Sequence, residues 1–324
     1  MVPHGAISDI RLNDDRSGEE ATMARYPQAV LVSCEIPWDE HEQLLEDVFR
    51  AEVRATLAAG FQHLYIFGTA GEGYAVDLPR LRQIVTIFAE ETLRPGIFPM
   101  VGVIALSTAT TLERLRIAYD AGFRTFQISL PSWGALNDDE VLRFFRDVCG
   151  AFPDARFLHY NLPRARRLLD GALYRQIIAA VPNLVATKNT GGSHGRAADL
   201  MTHAPELQHF FGEENFVHGC LFGECSLLSS VGVLAPQLVQ EYFAAGVARD
   251  IARMFSLQHE FLRFFREALA PIRGERIDGA YDKAIVRLSG ATMPLRLLSP
   301  YQGLSDDEYA AVEQIFRANF AHWR

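Results

Sequence analysis

From residue 28 onward the chain repeats one rhythm. A short apolar run is followed by a longer segment whose apolar residues recur three and four apart. Residues 28–33 predict a strand. Leu44, Leu45, Val48, Val53 and Leu57 then predict a helix over 41–59, ended by Gly60. Residues 61–67 are strand-like and run into Gly68-Thr69-Ala70-Gly71-Glu72-Gly73. Asp77 caps a helix through Glu91, with Pro79 in the first turn, where proline is tolerated. Further strands are expected at 97–103, 125–130, 156–160, 183–188, 207–212 and 227–231. Helices are expected at 108–121, from the capping-box spacing Asn137 to Glu140, at 170–180 and at 237–245.

Eight strand–helix units over about 220 residues predict an α/β (β/α)8 barrel across 27–246. The rival is a doubly wound open sheet. Its glycine fingerprint follows the first strand, whereas Gly68, Gly71 and Gly73 follow the second in the wrong order, which weakens a dinucleotide reading. After residue 247 the strand signals stop. Residues 250–269, 281–288 and 306–320 predict three helices, the last opening on a capping box at Ser305. Residues 247–324 are expected to pack on the barrel as a helical region. Residues 1–26 are polar, lack periodicity and read as an extension.

Composition narrows the function. A formal net charge of −9 argues against a nucleic-acid partner, which needs a basic face. No signal pattern opens the chain and no apolar run reaches the ~18 residues of a membrane span, so a cytoplasmic protein without a membrane partner is expected. The four cysteines form no CxxC, and the ten histidines show no HxxxH or HExxH spacing. Free thiols and no metal are expected. The cations are informative: of 31 Lys and Arg, only Lys188 and Lys283 are lysines. Lys188 ends an apolar strand before a Gly-Gly turn. Unlike arginine, lysine loses its proton when desolvated and becomes a nucleophile. The alternative is a stem that packs while its ammonium reaches water.

Barrel enzymes work at the C-terminal ends of their strands. That rule selects Thr69, the segment Pro131 to Trp133, Tyr160 and Lys188. By strand alternation Lys188, Ala186 and Leu184 share one face, and Tyr160 shares one with Leu158. Tyr160 and Lys188 then meet on adjacent strands, close enough for the hydroxyl to reach the amine. Taken singly, Tyr160 reads as a core tyrosine and Thr69 as a turn residue; their placement beside Lys188 changes that.

Gly68-Thr69-Ala70-Gly71-Glu72, Tyr160-Asn161-Leu162-Pro163, the stretch from Asn183 through Lys188 to Gly191, and Asp282-Lys283 with Pro294 to Leu297 occur in that order. Together they resemble the dihydrodipicolinate synthase / N-acetylneuraminate lyase family of pyruvate-handling class I lyases. The resemblance runs from about residue 28 to the end, and both lysines fall on lysine positions of the family. It implies a homo-oligomer, a tetramer or dimer, and chemistry without metal or organic cofactor. It implies an imine between Lys188 and a 2-oxo acid, proton shuttling by Tyr160, and a hydroxyl relay through Thr69. It also implies a carboxylate nest at Thr69, Ala70 and Gly71. Leu228, in the eighth strand, joins the expected substrate contacts.

Three positions depart from the family pattern. Ala70 stands for the second threonine of GTTGE. Trp133 stands where the synthase has a tyrosine, and an indole N–H cannot shuttle a proton; tryptophan here resembles the hydratase-aldolase branch acting on aromatic 2-oxo acids. Ala165 stands for the arginine that holds the second substrate's carboxylate; Arg164 and Arg166 flank it and either re-create that clamp from a shifted register or form a solvated charge run. The expectation is a Schiff-base lyase with a non-standard second substrate. A genuine 4-hydroxy-tetrahydrodipicolinate synthase and a non-catalytic 2-oxo acid binder are the alternatives.

Overall fold

The computed structural model describes residues 24–324 apart from Gly192. The expected extension therefore lies almost wholly outside the described residues, as does one glycine of the Gly-Gly turn. Eight parallel strands close into a barrel in chain order. They are β1 (Val30–Ser33), β2 (His63–Ile66), β3 (Phe98–Gly102), β4 (Thr125–Ile128), β5 (Arg156–Asn161), β6 (Leu184–Asn189), β7 (Gln208–Phe211) and β8 (Ser226–Ser229). Between and after them come α1 (Glu46–Ala58), α2 (Leu78–Thr92), α3 (Thr108–Asp120), α4 (Asp138–Gly150), α5 (Gly171–Ala180), α6 (His194–His203), α7 (Phe216–Phe222) and α8 (Pro236–Ala248). Helices α9 (Ile251–Glu267), α10 (Asp278–Leu288) and α11 (Asp306–Asn319) complete the chain. The barrel with C-terminal helices is the architecture the hydrophobic rhythm predicts. No described helix is long and apolar enough to cross a membrane.

Local chemistry sets the boundaries. Asp77 accepts the Arg80 N–H, and both predicted capping boxes, Asn137 with Glu140 and Ser305 with Glu308, are formed. Helix α1 starts later than the periodicity suggests, because Asp39 Oδ1 accepts the N–H groups of His41 and Gln43 at 2.8 Å and holds a turn. The rhythm does not delimit α6 and α7, the latter spanning only seven residues.

Strand β6 corrects one expectation. Phe157 pairs with Leu184, but Leu158 pairs with Ala186, so the register slips by one residue at Val185. Leu184 therefore packs outward in the layer between strands and helices, while Val185 and Ala186 belong to the barrel interior. After the slip, Tyr160 and Lys188 stand directly opposite each other. Tyr26 closes the floor of the barrel. Its N–H donates to Val185 O at 3.2 Å, and its phenol meets His63 Nδ1 at 2.8 Å among Leu31, Met100 and Phe210.

Helix α10 lies against the opposite end. Lys283 and Glu72 form an ion pair at 2.6 Å with 0% exposure of either side chain. Glu72 also accepts the Trp38 indole N–H at 2.9 Å and the Leu298 N–H at 2.7 Å, and Lys283 donates to Arg296 O at 2.5 Å. The pair thus ties the loop after β2 to the C-terminal helices. Lys283→Met leaves a buried carboxylate without its counter-charge, at about 3–5 kcal/mol. The expected result is an unfolding free energy lowered by that amount, read as an earlier denaturant midpoint; an unchanged midpoint would show the helices are held elsewhere.

Candidate active site

Lys188 is near the C-terminal end of β6, inside the barrel mouth, with 3% exposure. Its ammonium donates to the Tyr65 hydroxyl at 2.8 Å and lies 3.9 Å from the centre of the Tyr160 ring. No carboxylate pairs with it among the described residues, in contrast to Lys283. Burial lowers it from 10.5 to about 8; Asp278, Asp282 and Glu35 act in the opposite sense. A cation–π contact steadies the charged form without hydrating it. The amine is therefore neutral in an appreciable fraction near neutral pH, as a nucleophile must be. Trapping of any carbonyl on Lys188 should speed up as pH rises toward about 8 and level off above it. A midpoint near the ordinary lysine value would show that burial does not depress the Lys188 amine.

The loop after β2 is built from strained and small residues. Phe67 and Glu72 have φ of 62° and 55°, in the left-handed region. A Cβ at Gly68 would sit 2.6 Å from the Tyr65 ring and 3.4 Å from Lys188 Nζ, and one at Gly73 would sit 2.3 Å from Phe67 O. Only glycine lets the loop close this tightly on the lysine. The N–H groups of Thr69, Ala70 and Gly71 meet no protein acceptor among the described residues. They form a concavity suited to an anion. Thr69 Oγ1 donates to the Tyr160 hydroxyl at 3.3 Å. Burial raises Tyr160 to about 12, against the opposing hydrogen bonds of Thr69 and Thr190, so at neutral pH it carries its proton.

Thr69 also borders a cavity of about 160 Å3, walled by Tyr74, Ser132, Arg164, Ala165, Ile277 and Tyr301 among others. The predicted residues separate at this point. Lys188, Tyr160 and Thr69 come together, with Ala70 and Gly71 in the same loop. Arg164 reaches the cavity and pairs with Asp278 at 2.9 Å. Arg166 is exposed, has φ of 60° and lines no part of it. From the loop after β4 it is Ser132 that enters, while Trp133 is 86% exposed. Leu228 faces the barrel interior with Leu31, Tyr65 and Phe210. Two features went unforeseen: Tyr65 as the hydroxyl bonded to the amine, and the acids Glu35 and Asp282 beside it. A strand buried on both faces reads as continuous apolar sequence, so Tyr65 could not be assigned to the inner face from alternation.

The family model described as Dihydrodipicolinate synthetase family matches residues 27–319. The chain belongs to this family. Among curated dihydrodipicolinate synthetase family relatives, a 4-hydroxy-tetrahydrodipicolinate synthase of Azoarcus sp. is 24% identical over 273 residues, covering 83% of this chain and 92% of that protein. An N-acetylneuraminate lyase of Salmonella paratyphi B is 24% identical over 239 residues, covering 74% and 80%. The fold is shared with a prophage protein of the dihydrodipicolinic acid synthase family from E. coli K12, solved in complex with pyruvate. The TM-score is 0.82 at 17% identity, covering 90% of this chain and 98% of that one. A dihydrodipicolinate synthase family protein from Coccidioides immitis superposes with a TM-score of 0.78 at 22% identity, covering 93% and 99%. The chain is thus similar both to a synthase and to a lyase of one family, a family of aldolase and lyase enzymes.

Proposed function

We propose that the chain is a class I lyase that forms an imine between Lys188 and the keto carbon of pyruvate or another 2-oxo acid. The observation that carries this is the desolvated Lys188 amine, held between the Tyr65 hydroxyl and the Tyr160 ring at the end of a barrel strand. The amine nitrogen attacks the keto carbon, and the carbonyl oxygen leaves as water. The free N–H groups from Thr69 to Gly71 hold the 2-oxo acid's carboxylate. Tyr160, steadied by Thr69, moves protons on the adduct.

The second substrate is read as different from that of the synthase. Ala165 puts no charge into the cavity, and the remaining cation, Arg164, already has Asp278 as partner. The cavity of about 160 Å3, which meets the Lys188 site at Thr69 and is not lined by Lys188 or Tyr160, is also small beside the ~300–1,000 Å3 of drug-sized sites, which suits a small second substrate. Trp133, exposed in one chain, is assigned to a contact with a neighbouring copy in a homo-oligomer.

Borohydride reduction in the presence of pyruvate, followed by peptide mass mapping, tests the imine. The expected result is a reduced pyruvyl adduct on the peptide containing Lys188. No adduct with pyruvate or a panel of 2-oxo acids would overturn the reading, and robust turnover with aspartate semialdehyde would assign synthase activity instead. Because Asp278 already neutralises Arg164, Arg164→Ala should change KM for an acidic second substrate by less than about threefold and leave pyruvate trapping intact, whereas a rise of about 10- to 100-fold would show that Arg164 holds a substrate carboxylate.

A further inference from the structure

Lys188 is enclosed by Tyr65 and Tyr160, so a proton leaving its ammonium needs a carrier. One is present on the side away from Tyr160. Ser33 ends β1 and stands in register with Tyr65 on β2, both pointing into the barrel. The Tyr65 phenol lies beside the Ser33 hydroxyl across the β1–β2 pairing, and the Ser33 hydroxyl donates to Glu35 Oε1. Glu35 is 2% exposed, and its second oxygen, Oε2, has no hydrogen-bond partner among the described residues. Its own N–H is bonded to Glu52 Oε1 at 2.7 Å, so a second buried carboxyl group packs against its backbone. The sequence alone did not mark Glu35, because a single acid next to a strand reads as a loop residue.

We propose that Glu35 is the proton acceptor for Lys188, reached through the hydroxyls of Tyr65 and Ser33. Lys188 Nζ gives a proton to Tyr65, Tyr65 gives its own to Ser33, and Ser33 gives its own to Glu35. One N–H bond breaks at Lys188 and one O–H bond forms at Glu35. Each hydroxyl loses and regains one proton, and no electrons are transferred. Lys188 is left as a neutral amine with its lone pair free. Glu35 acts on Lys188 through two hydroxyls and touches no substrate.

The surroundings suit this exchange. Burial raises Glu35 to about 7, while Ser33, Lys283 and Lys188 oppose the rise and Glu72 adds to it. Glu52 from α1, Asp282 from α10, Cys34 from the same segment and Tyr65 also face it. Lys283 is held by Glu72 and Arg296 O, so it does not occupy the Glu35 carboxyl.

The proposal rests on the imine reading of Lys188, and its test is chosen to stand apart from that reading. Formaldehyde with cyanoborohydride methylates lysines through an imine and needs no 2-oxo acid; the rate at Lys188 is followed by peptide mapping from pH 6 to 9.5. Glu35→Gln keeps the shape but takes no proton. A purely electrostatic role gives a definite opposite sign, because losing a negative neighbour lowers the lysine pKa and speeds imine formation at pH 7. The relay predicts slowing at pH 7 by about 10²-fold, with the rate converging on wild type above pH 9. Ser33→Ala cuts the path while leaving the charge in place and should slow the reaction likewise, with Glu35→Asp restoring part of the rate. A faster or unchanged rate in both Glu35→Gln and Ser33→Ala overturns the relay. If the wild-type chain reacts with formaldehyde at Lys188 yet traps no 2-oxo acid, the proposed function fails while the relay is still decided by these rates.

Discussion

Lys188→Met is expected to abolish trapping of pyruvate and every turnover that depends on it, while raising the stability of the fold at pH 7. Both halves follow from one fact. The folded state holds the amine at about 8, whereas the unfolded chain returns it to 10.5. Between those values the unfolded state binds more protons, so stability rises with pH across this window and the cost of the buried charge is fully present below it. That cost is about 3 kcal/mol. Methionine removes it and loses one hydrogen bond to Tyr65, worth about 1 kcal/mol. The balance favours the variant, as is common where a site keeps a residue the fold would exchange. Intact-mass analysis after borohydride reduction and thermal denaturation at pH 7 and pH 10 check it. The gain in stability should shrink at the higher pH. An adduct that persists in Lys188→Met, or a lower melting temperature at pH 7, would sink the assignment.

Tyr160→Phe is expected to lower hydrogen–deuterium exchange at the methyl group of pyruvate by about 10²–10⁴-fold, the range for loss of a positioned acid–base group. This exchange reports removal of a proton from the imine-bound substrate and needs no knowledge of the second substrate. The phenyl ring remains, so the face on which Lys188 rests at 3.9 Å is kept and the fold should be unperturbed. Only the hydroxyl bonded to Thr69 is lost. Thr69→Val should have a smaller effect of the same sign, since it leaves the phenol without its donor but in place. Exchange in Tyr160→Phe equal to wild type, measured by proton NMR in deuterated buffer, would move the proton shuttle to another group, with Tyr65 next to be tried.

Much of the site was legible because its parts sit at strand ends. Thr69, Tyr160 and Lys188 each close an apolar run, and the barrel rule converts three such ends into one mouth. The scarcity of lysine drew notice to Lys188 and Lys283, but not to the difference between them. Lys283 lies on a helix far along the chain, and only folding brings it within 2.6 Å of Glu72. That Arg164 reaches the cavity and Arg166 does not was equally hidden. It depends on a single left-handed residue at Arg166, which ends the short helical turn at Pro163–Ala165. Trp133 and Ser132 are neighbours in sequence, yet one is exposed and the other lines the cavity.

The sequence by itself determined the alternation of strands and helices, the caps, and the lysine that the barrel carries to its mouth. These are read from local propensity and period, which neighbouring residues settle among themselves. The tertiary structure decided the slip at Val185 that sets Tyr160 opposite Lys188, the bond from Lys188 to Tyr65, and the carboxyl of Glu35 behind Ser33. It also decided how far burial moves the lysine. Desolvation and long-range hydrogen bonds depend on which distant segments surround a group, and no local pattern along the chain encodes that.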